Sequence, residues 1–143
     1  MLVRQILGIK GGTDVVTVER GATVADTARL LSEKRIGAVL VMDGDVPAGI
    51  LSERDIVREL GRRGEGCLSD KVDDMMTRNL ISCAPNETAD EVLTKMTEGR
   101  FRHMPVIENG KMAGFISIGD VVKARLSELS MEKDALESMI KGF

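Results

Sequence analysis

The sequence contains no tryptophan or tyrosine, and among its 143 residues only Phe101, Phe115 and Phe143 carry a phenyl ring. A platform that stacks successive bases of single-stranded nucleic acid needs more rings than this, so that class of function is set aside. The core must come from Val, Ile, Leu and nine Met. Histidine occurs once, at His103, and cysteine twice, at Cys67 and Cys83. Neither type reaches the ligand number of a zinc site, and no metal is expected. The two cysteines read as free thiols in a reducing compartment. Positive charge is not in excess either, since 20 Lys and Arg against 23 Asp and Glu give −3, a poor balance for a broad phosphate-backbone surface. No apolar run approaches the ~20 residues that span a bilayer, and Met1 to Lys10 lacks the regions of a signal peptide. A cytoplasmic protein with neither nucleic-acid nor membrane partners is expected.

What the chain does have is a repeat. Gly49-Ile50-Leu51-Ser52-Glu53-Arg54-Asp55 returns as Gly114-Phe115-Ile116-Ser117-Ile118-Gly119-Asp120, with Ser and Asp both recurring after 65 residues (117 − 52 and 120 − 55). Such a repeat constrains the architecture before any local signal does. The register runs without a gap back to Thr23 and Thr88 and carries Arg35 onto Arg100 and Val41 onto Val106. A unit of this size buries only ~60% of its unfolded surface, so each copy is expected to need the other. The copies are placed at 1–66 and 67–143, with Gly64-Glu65-Gly66 as the linker.

Each copy reads as β-α-β-β-α. In the first, Val15 to Val18 predicts a strand and Thr23 to Lys34 a helix. Ala38 to Met42 and Val46 to Leu51 predict a hairpin around Asp43-Gly44-Asp45, and a helix begins at Ser52. In the second, the series is strand Leu80 to Ser82, helix Thr88 to Glu98, strands His103 to Ile107 and Lys111 to Ile116 around Asn109-Gly110, and a helix from Ser117. Short helical segments, Leu2 to Leu7 and Val72 to Met76, precede each copy's first strand, and the first copy has about four extra residues around Lys10-Gly11-Gly12-Thr13. The last helix carries a seam of Val122, Leu126, Leu129, Leu136 and Ile140 that extends past the repeat unit. That seam packs either on its own domain or in a homodimer interface.

Four pairs, Thr23/Asp26, Ser52/Asp55, Thr88/Glu91 and Ser117/Asp120, have capping-box spacing at the predicted helix starts. The two Ser/Asp pairs also close a buried strand that starts at Gly49 or Gly114. A helix mouth at a strand end offers backbone N–H groups and a positive dipole end to an anion. An acidic residue there can accept hydrogen bonds from a ribose diol. Arg100-Phe101-Arg102-His103-Met104-Pro105 brings guanidiniums, whose planar fork matches phosphate, to the start of another buried strand. The first copy keeps Arg35 but has Gly37 and Ala38 where the Arg102-His103 pair stands, leaving room for a flat ring. Two unequal sites are expected.

These residues, two β-α-β-β-α copies each ending in Gly-apolar-apolar-Ser-x-x-Asp with Arg-His-Met-Pro-Val in the second, resemble a tandem pair of cystathionine-β-synthase (CBS) domains, a Bateman module. Ser52-Glu53-Arg54-Asp55 and Ser117-Ile118-Gly119-Asp120, together with Asp73-Asp74-Met75-Met76-Thr77, make the chain look most like small stand-alone bacterial members. The resemblance implies an α+β fold of two pseudo-symmetric CBS repeats packed sheet to sheet, with AMP, ADP, ATP, NAD(H) or S-adenosylmethionine bound between them. It implies ribose contacts at Asp120 and Asp55, ribose or phosphate contacts at Ser117 and Ser52, and phosphate contacts at Arg102 and His103. Thr17, Gly37, Ala38 and Val39 would join Ile116 at the Asp120 site, and Ile81, Met104 and Pro105 would join the Asp55 site, where Arg54 stands in for the missing basic pair.

The function expected on these grounds is a non-catalytic sensor module that binds an adenine nucleotide and signals to an effector protein as a homodimer. The alternative is a structural dimerisation module with no physiological ligand. An enzyme is not expected. One histidine and two thiols without motif context assemble no nucleophile and base, and the chain is far short of the ~250 residues of a TIM barrel.

Overall fold

The computed structural model describes residues 1–9 and 15–142; the extra residues expected around Lys10 to Thr13 lie outside them. The order of elements is α1 (Val3–Ile9), β1 (Thr17–Glu19), α2 (Val24–Lys34), β2 (Ala38–Asp43), β3 (Val46–Ser52), α3 (Glu53–Arg63), α4 (Val72–Met75), α5 (Ala89–Gly99), β4 (His103–Glu108), β5 (Lys111–Ser117) and α6 (Ile118–Gly142). They form two compact units, Asp14–Ile81 and Met1–Thr13 with Ser82–Phe143. The packing units therefore do not coincide with the sequence repeats at 1–66 and 67–143, because each short helix preceding a repeat packs with the other copy. Gly64 leads into a 3₁₀ helix, Glu65–Ser69, which lies inside the first of these units and buries Cys67.

In the Asp14–Ile81 unit, β1 runs parallel to β2, and β2 pairs antiparallel with β3. Val24 and Leu31 of α2 and Ile56 of α3 pack on Val39, Val41 and Leu51 of the sheet. Leu40, on the alternate face, is wholly buried as well. The lead-in to α4 clasps the start of α2: Val24 N–H donates to the Asp70 carbonyl at 2.8 Å, and Val72 N–H donates to the Ala22 carbonyl at 2.8 Å. Asp73 accepts from Gly21 N–H at 2.8 Å and from Arg20 Nε at 2.8 Å, and Arg20 with that amide holds the Asp73 carboxyl below the usual aspartate range.

The second unit repeats this plan with α1 in the role of α4. Val3 N–H donates to the Glu87 carbonyl and Ala89 N–H to the Met1 carbonyl, both at 2.9 Å. Val3 and Ile6 join Val92, Met96, Met104, Val106, Ile116, Val121 and Ala124 in the core. The repeated glycines are explained by this clasp. A Cβ on Gly49 would lie 2.8 Å from the Thr77 carbonyl oxygen, and one on Gly114 would lie 2.7 Å from Leu7 Cδ2. Their missing side chains admit the neighbouring segment.

The expected strand at Leu80 to Ser82 does not form. Cys83 makes a single parallel bridge to Val106, the counterpart of Val18 beside Val41, so β4 and β5 are a two-stranded sheet. The physical reason is Pro105. In the first copy Leu40 N–H donates to the Val16 carbonyl at 3.3 Å; Pro105 occupies the equivalent position and has no N–H to give. The hairpin turns also differ. Gly44 alone is left-handed, φ 63°, whereas Asn109 and Gly110 both are, φ 52° and 77°, which are the patterns of II′ and I′ turns respectively.

Candidate functional site: two strand-to-helix mouths

In each unit the last residue of a strand caps the next helix. Asp55 N–H donates to Ser52 Oγ at 3.2 Å, and Ser52 N–H returns to Asp55 Oδ2 at 3.0 Å. In the other unit Asp120 N–H donates to Ser117 Oγ at 3.1 Å and Ser117 N–H to Asp120 Oδ2 at 2.9 Å. Thr23 and Thr88 also cap, accepting from Asp26 and Glu91 N–H, both at 3.1 Å.

The amide of the first helical residue is engaged too: Glu53 N–H donates to the Gly37 carbonyl at 2.9 Å and Ile118 N–H to the Arg102 carbonyl at 2.8 Å. Three of the four donors at each helix start are therefore satisfied within the protein. This corrects the expectation of free N–H groups for an anion. What each mouth offers instead is a carboxylate fixed by its own cap at the edge of the sheet, an acceptor suited to hydroxyl donors.

In the Asp14–Ile81 unit, strand pairing brings Ala38 opposite Ser52 and Val39 opposite Leu51, and Gly37 is tied to Glu53. Arg54 is exposed in the first turn of α3. Thr17 lies exposed on β1 opposite Leu40, and Ile81 is exposed at the end of the unit. In the other unit His103 is opposite Ser117 and Met104 opposite Ile116. The His103 ring meets the Phe115 ring edge to face, with centroids 5.7 Å apart. Arg102 is exposed beside it, whereas Pro105 is buried.

Val39, Met104 and Ile116 are wholly buried in their own unit's core. Their side chains are structural.

Sequence reasoning missed Arg58. Its Nη2 pairs with Asp55 Oδ1, while Ser52 Oγ donates to Oδ2 at 3.0 Å, so both oxygens of Asp55 are held. The signal was the i, i+3 spacing on a helix. A groove of about 530 Å³ on the helix side of the same unit is lined by residues of α2, the turn at Arg35 to Gly37, and α3; of the predicted residues only Gly37 contributes. Burial of Cys83, with Glu87 adding, pushes its thiol up to about 12, which keeps it protonated and unsuited to attack. Among the described residues no His, Cys, Asp and Glu cluster could hold a metal, and no helix is long and apolar enough to cross a membrane.

Two copies of a family model, the CBS domain, match residues 6–62 and 72–127. The chain belongs to the CBS-domain family, as a tandem pair. The crystal structure of a CBS-domain protein from Agrobacterium tumefaciens is similar, with 46% identity, TM-score 0.84, and coverage of 87% of this chain and 99% of that one. The mitochondrial CBS domain-containing protein CBSX3 of Arabidopsis thaliana is 36% identical over 84% of this chain. The chain spans 61% of that relative's length, and 22% and 24% of two further Arabidopsis relatives. At the level of fold alone, a CBS-domain protein of Pyrobaculum aerophilum complexed with AMP matches with 24% identity and TM-score 0.77, over 92% of this chain and 99% of that one.

Proposed function

We propose that this chain is a non-catalytic regulatory module that binds an adenine nucleotide, such as AMP, ADP, ATP or NAD(H), and passes its occupancy to an effector protein as a cytoplasmic homodimer. The observation that carries the reading is the reciprocal Ser117/Asp120 cap, which fixes a carboxylate beside Arg102 and His103 at the junction of β5 and α6. Asp120 would accept from the ribose hydroxyls, and Arg102 and His103 would meet phosphate. Ser52, Arg54 and Asp55 form the weaker counterpart. Thr17, Gly37, Ala38 and Ile81 offer further contacts, while Val39, Met104, Pro105 and Ile116 contribute through their main chain. The AMP held by the Pyrobaculum relative supports the ligand class.

A ligand at ~100 times its dissociation constant stabilises the bound form by ~2.7 kcal/mol. Thermal shift with AMP, ADP, ATP, NADH and S-adenosylmethionine, with Asp120→Ala as control, tests this. A rise in midpoint for at least one nucleotide that the variant lacks is expected, and no shift with any of them would overturn the reading. The exposed seam of α6 favours a second reading, a dimerisation module without physiological ligand. That reading predicts dimers and no nucleotide response.

A further inference from the structure

Asparagine occurs three times, at Asn79, Asn86 and Asn109, and all three are exposed. They differ in the residue that follows. Leu80 and Glu87 carry side chains beside the backbone amide next to the first two, whereas Asn109 is followed by Gly110. An amide without a neighbouring Cβ can be approached closely by another group.

The fold sets this dipeptide apart as well. Glu108 pairs with Lys111, so Asn109 and Gly110 alone make the loop between β4 and β5. Both are exposed, and both hold left-handed backbone, φ 52° and 77°. A Cβ on Gly110 would meet nothing within 4 Å, so the described residues leave that amide uncovered. The equivalent loop of the first copy has no side-chain amide. Asp43-Gly44-Asp45 stands there, and the Asp43 carboxylate is paired with Arg20 Nη1 at 3.2 Å. A carboxylate is a poor target for a backbone nitrogen, because its negative charge opposes attack at the carbon.

We propose that Asn109 is a site of spontaneous covalent modification, losing its side-chain amide through a succinimide formed with Gly110, and that the second copy alone carries this chemistry. The Gly110 backbone nitrogen attacks Asn109 Cγ and closes a five-membered ring. Its proton leaves with the side-chain nitrogen as ammonia. Water then opens the ring: breaking the bond from nitrogen to Cγ leaves an ordinary aspartate, and breaking the bond from nitrogen to the main-chain carbonyl leaves an isoaspartate. Either product adds one negative charge to a chain that stands at −3. The aspartate keeps the turn, since that residue tolerates left-handed backbone. The isoaspartate routes the main chain through Cβ and Cγ and lengthens a two-residue loop whose length selects the turn. The strain falls on the adjoining pairs, Glu108 with Lys111 and Ile107 with Met112.

Peptide mapping by mass spectrometry tests the site, with the folded full chain held in mildly alkaline buffer and sampled over days. Asn109 should convert at least ~10-fold faster than Asn79 and Asn86 in the same molecules, the effect of sparing the barrier one Cβ clash. Isoaspartate, scored by enzymatic methylation, should appear at that position. Gly110→Asp keeps a residue that tolerates positive φ and restores a Cβ beside the attacking amide, so it should slow conversion about 10-fold. Conversion of Asn109 no faster than that of the other two asparagines would overturn the proposal without recourse to any variant, as would a wild-type rate in folded Gly110→Asp. The effect on the hairpin is read separately. The isoaspartate form, isolated by ion exchange, should melt below both the fresh chain and Asn109→Asp, and equal midpoints would overturn the strain in the loop.

Discussion

The two mouths share a cap and differ in what surrounds it. At the first, Asp55 is held through both oxygens, with Ser52 on one and Arg58 on the other, and Arg54 is exposed in the same turn. At the second, Lys123 stands where Arg58 does and Gly119 where Arg54 does, and a Cβ on Gly119 would meet nothing closer than Ser117 Oγ at 3.5 Å. The repeated motif thus fixes helix geometry equally in both copies. The basic residues around the shared cap are what differ, so an Asp at a helix mouth is a ligand group only as far as its neighbours allow.

The clasps offer the largest break in this near-symmetry. Gly49→Ala drives a methyl toward a backbone oxygen, whereas Gly114→Ala meets only the end of the Leu7 side chain. Urea denaturation should show a loss of about 1–3 kcal/mol for the first and less than about 1 kcal/mol for the second. Next come the caps. Ser52→Ala and Ser117→Ala should each lose about 1 kcal/mol by the same measurement, and a clear inequality between them would mean that the two caps are not equivalent.

Smaller is the contribution of Asp73, which belongs to the first clasp alone. Its folded-state pKa is depressed by Arg20 and the Gly21 amide, so its stabilisation is complete above the ordinary aspartate range and is lost as pH falls through the folded value. The gap in urea midpoint between wild type and Asp73→Asn should therefore narrow from about pH 5 to about pH 3. A constant gap would separate that residue from the clasp. Smallest is Arg58→Gln, which frees Asp55 from an exposed ion pair. In an Asp120→Asn background it should tighten AMP binding about two- to fivefold by calorimetry, and unchanged or weaker binding would make Arg58 a ligand contact rather than a competitor.

Much of the fold was legible because its signals are local. Thr23, Ser52, Thr88 and Ser117 cap where their spacing to an acid predicted, and Asp-Gly and Asn-Gly mark both hairpins. Cys83 shows the limit, since whether it extends into a strand depends on a missing N–H on Pro105, a residue of another strand. The exchange of α1 and α4 was illegible for the same reason: Gly49 and Gly114 read only as the start of a strand, but the space they leave is filled by Met76, Thr77 and Leu7 from distant parts of the chain. At the candidate site, Ser and Asp were legible from the repeat. The core burial of Val39, Met104 and Ile116 was not, because alternation along a strand covered on both faces does not say which side chains reach a ligand.

Calorimetric titration of AMP into the wild type, Asp120→Asn and Asp55→Asn puts the central claim at most direct risk. The account predicts that Asp120→Asn weakens binding at least ~10-fold while Asp55→Asn leaves the tighter event within about twofold. Equal losses from the two variants, or AMP binding undiminished by Asp120→Asn, would contradict it.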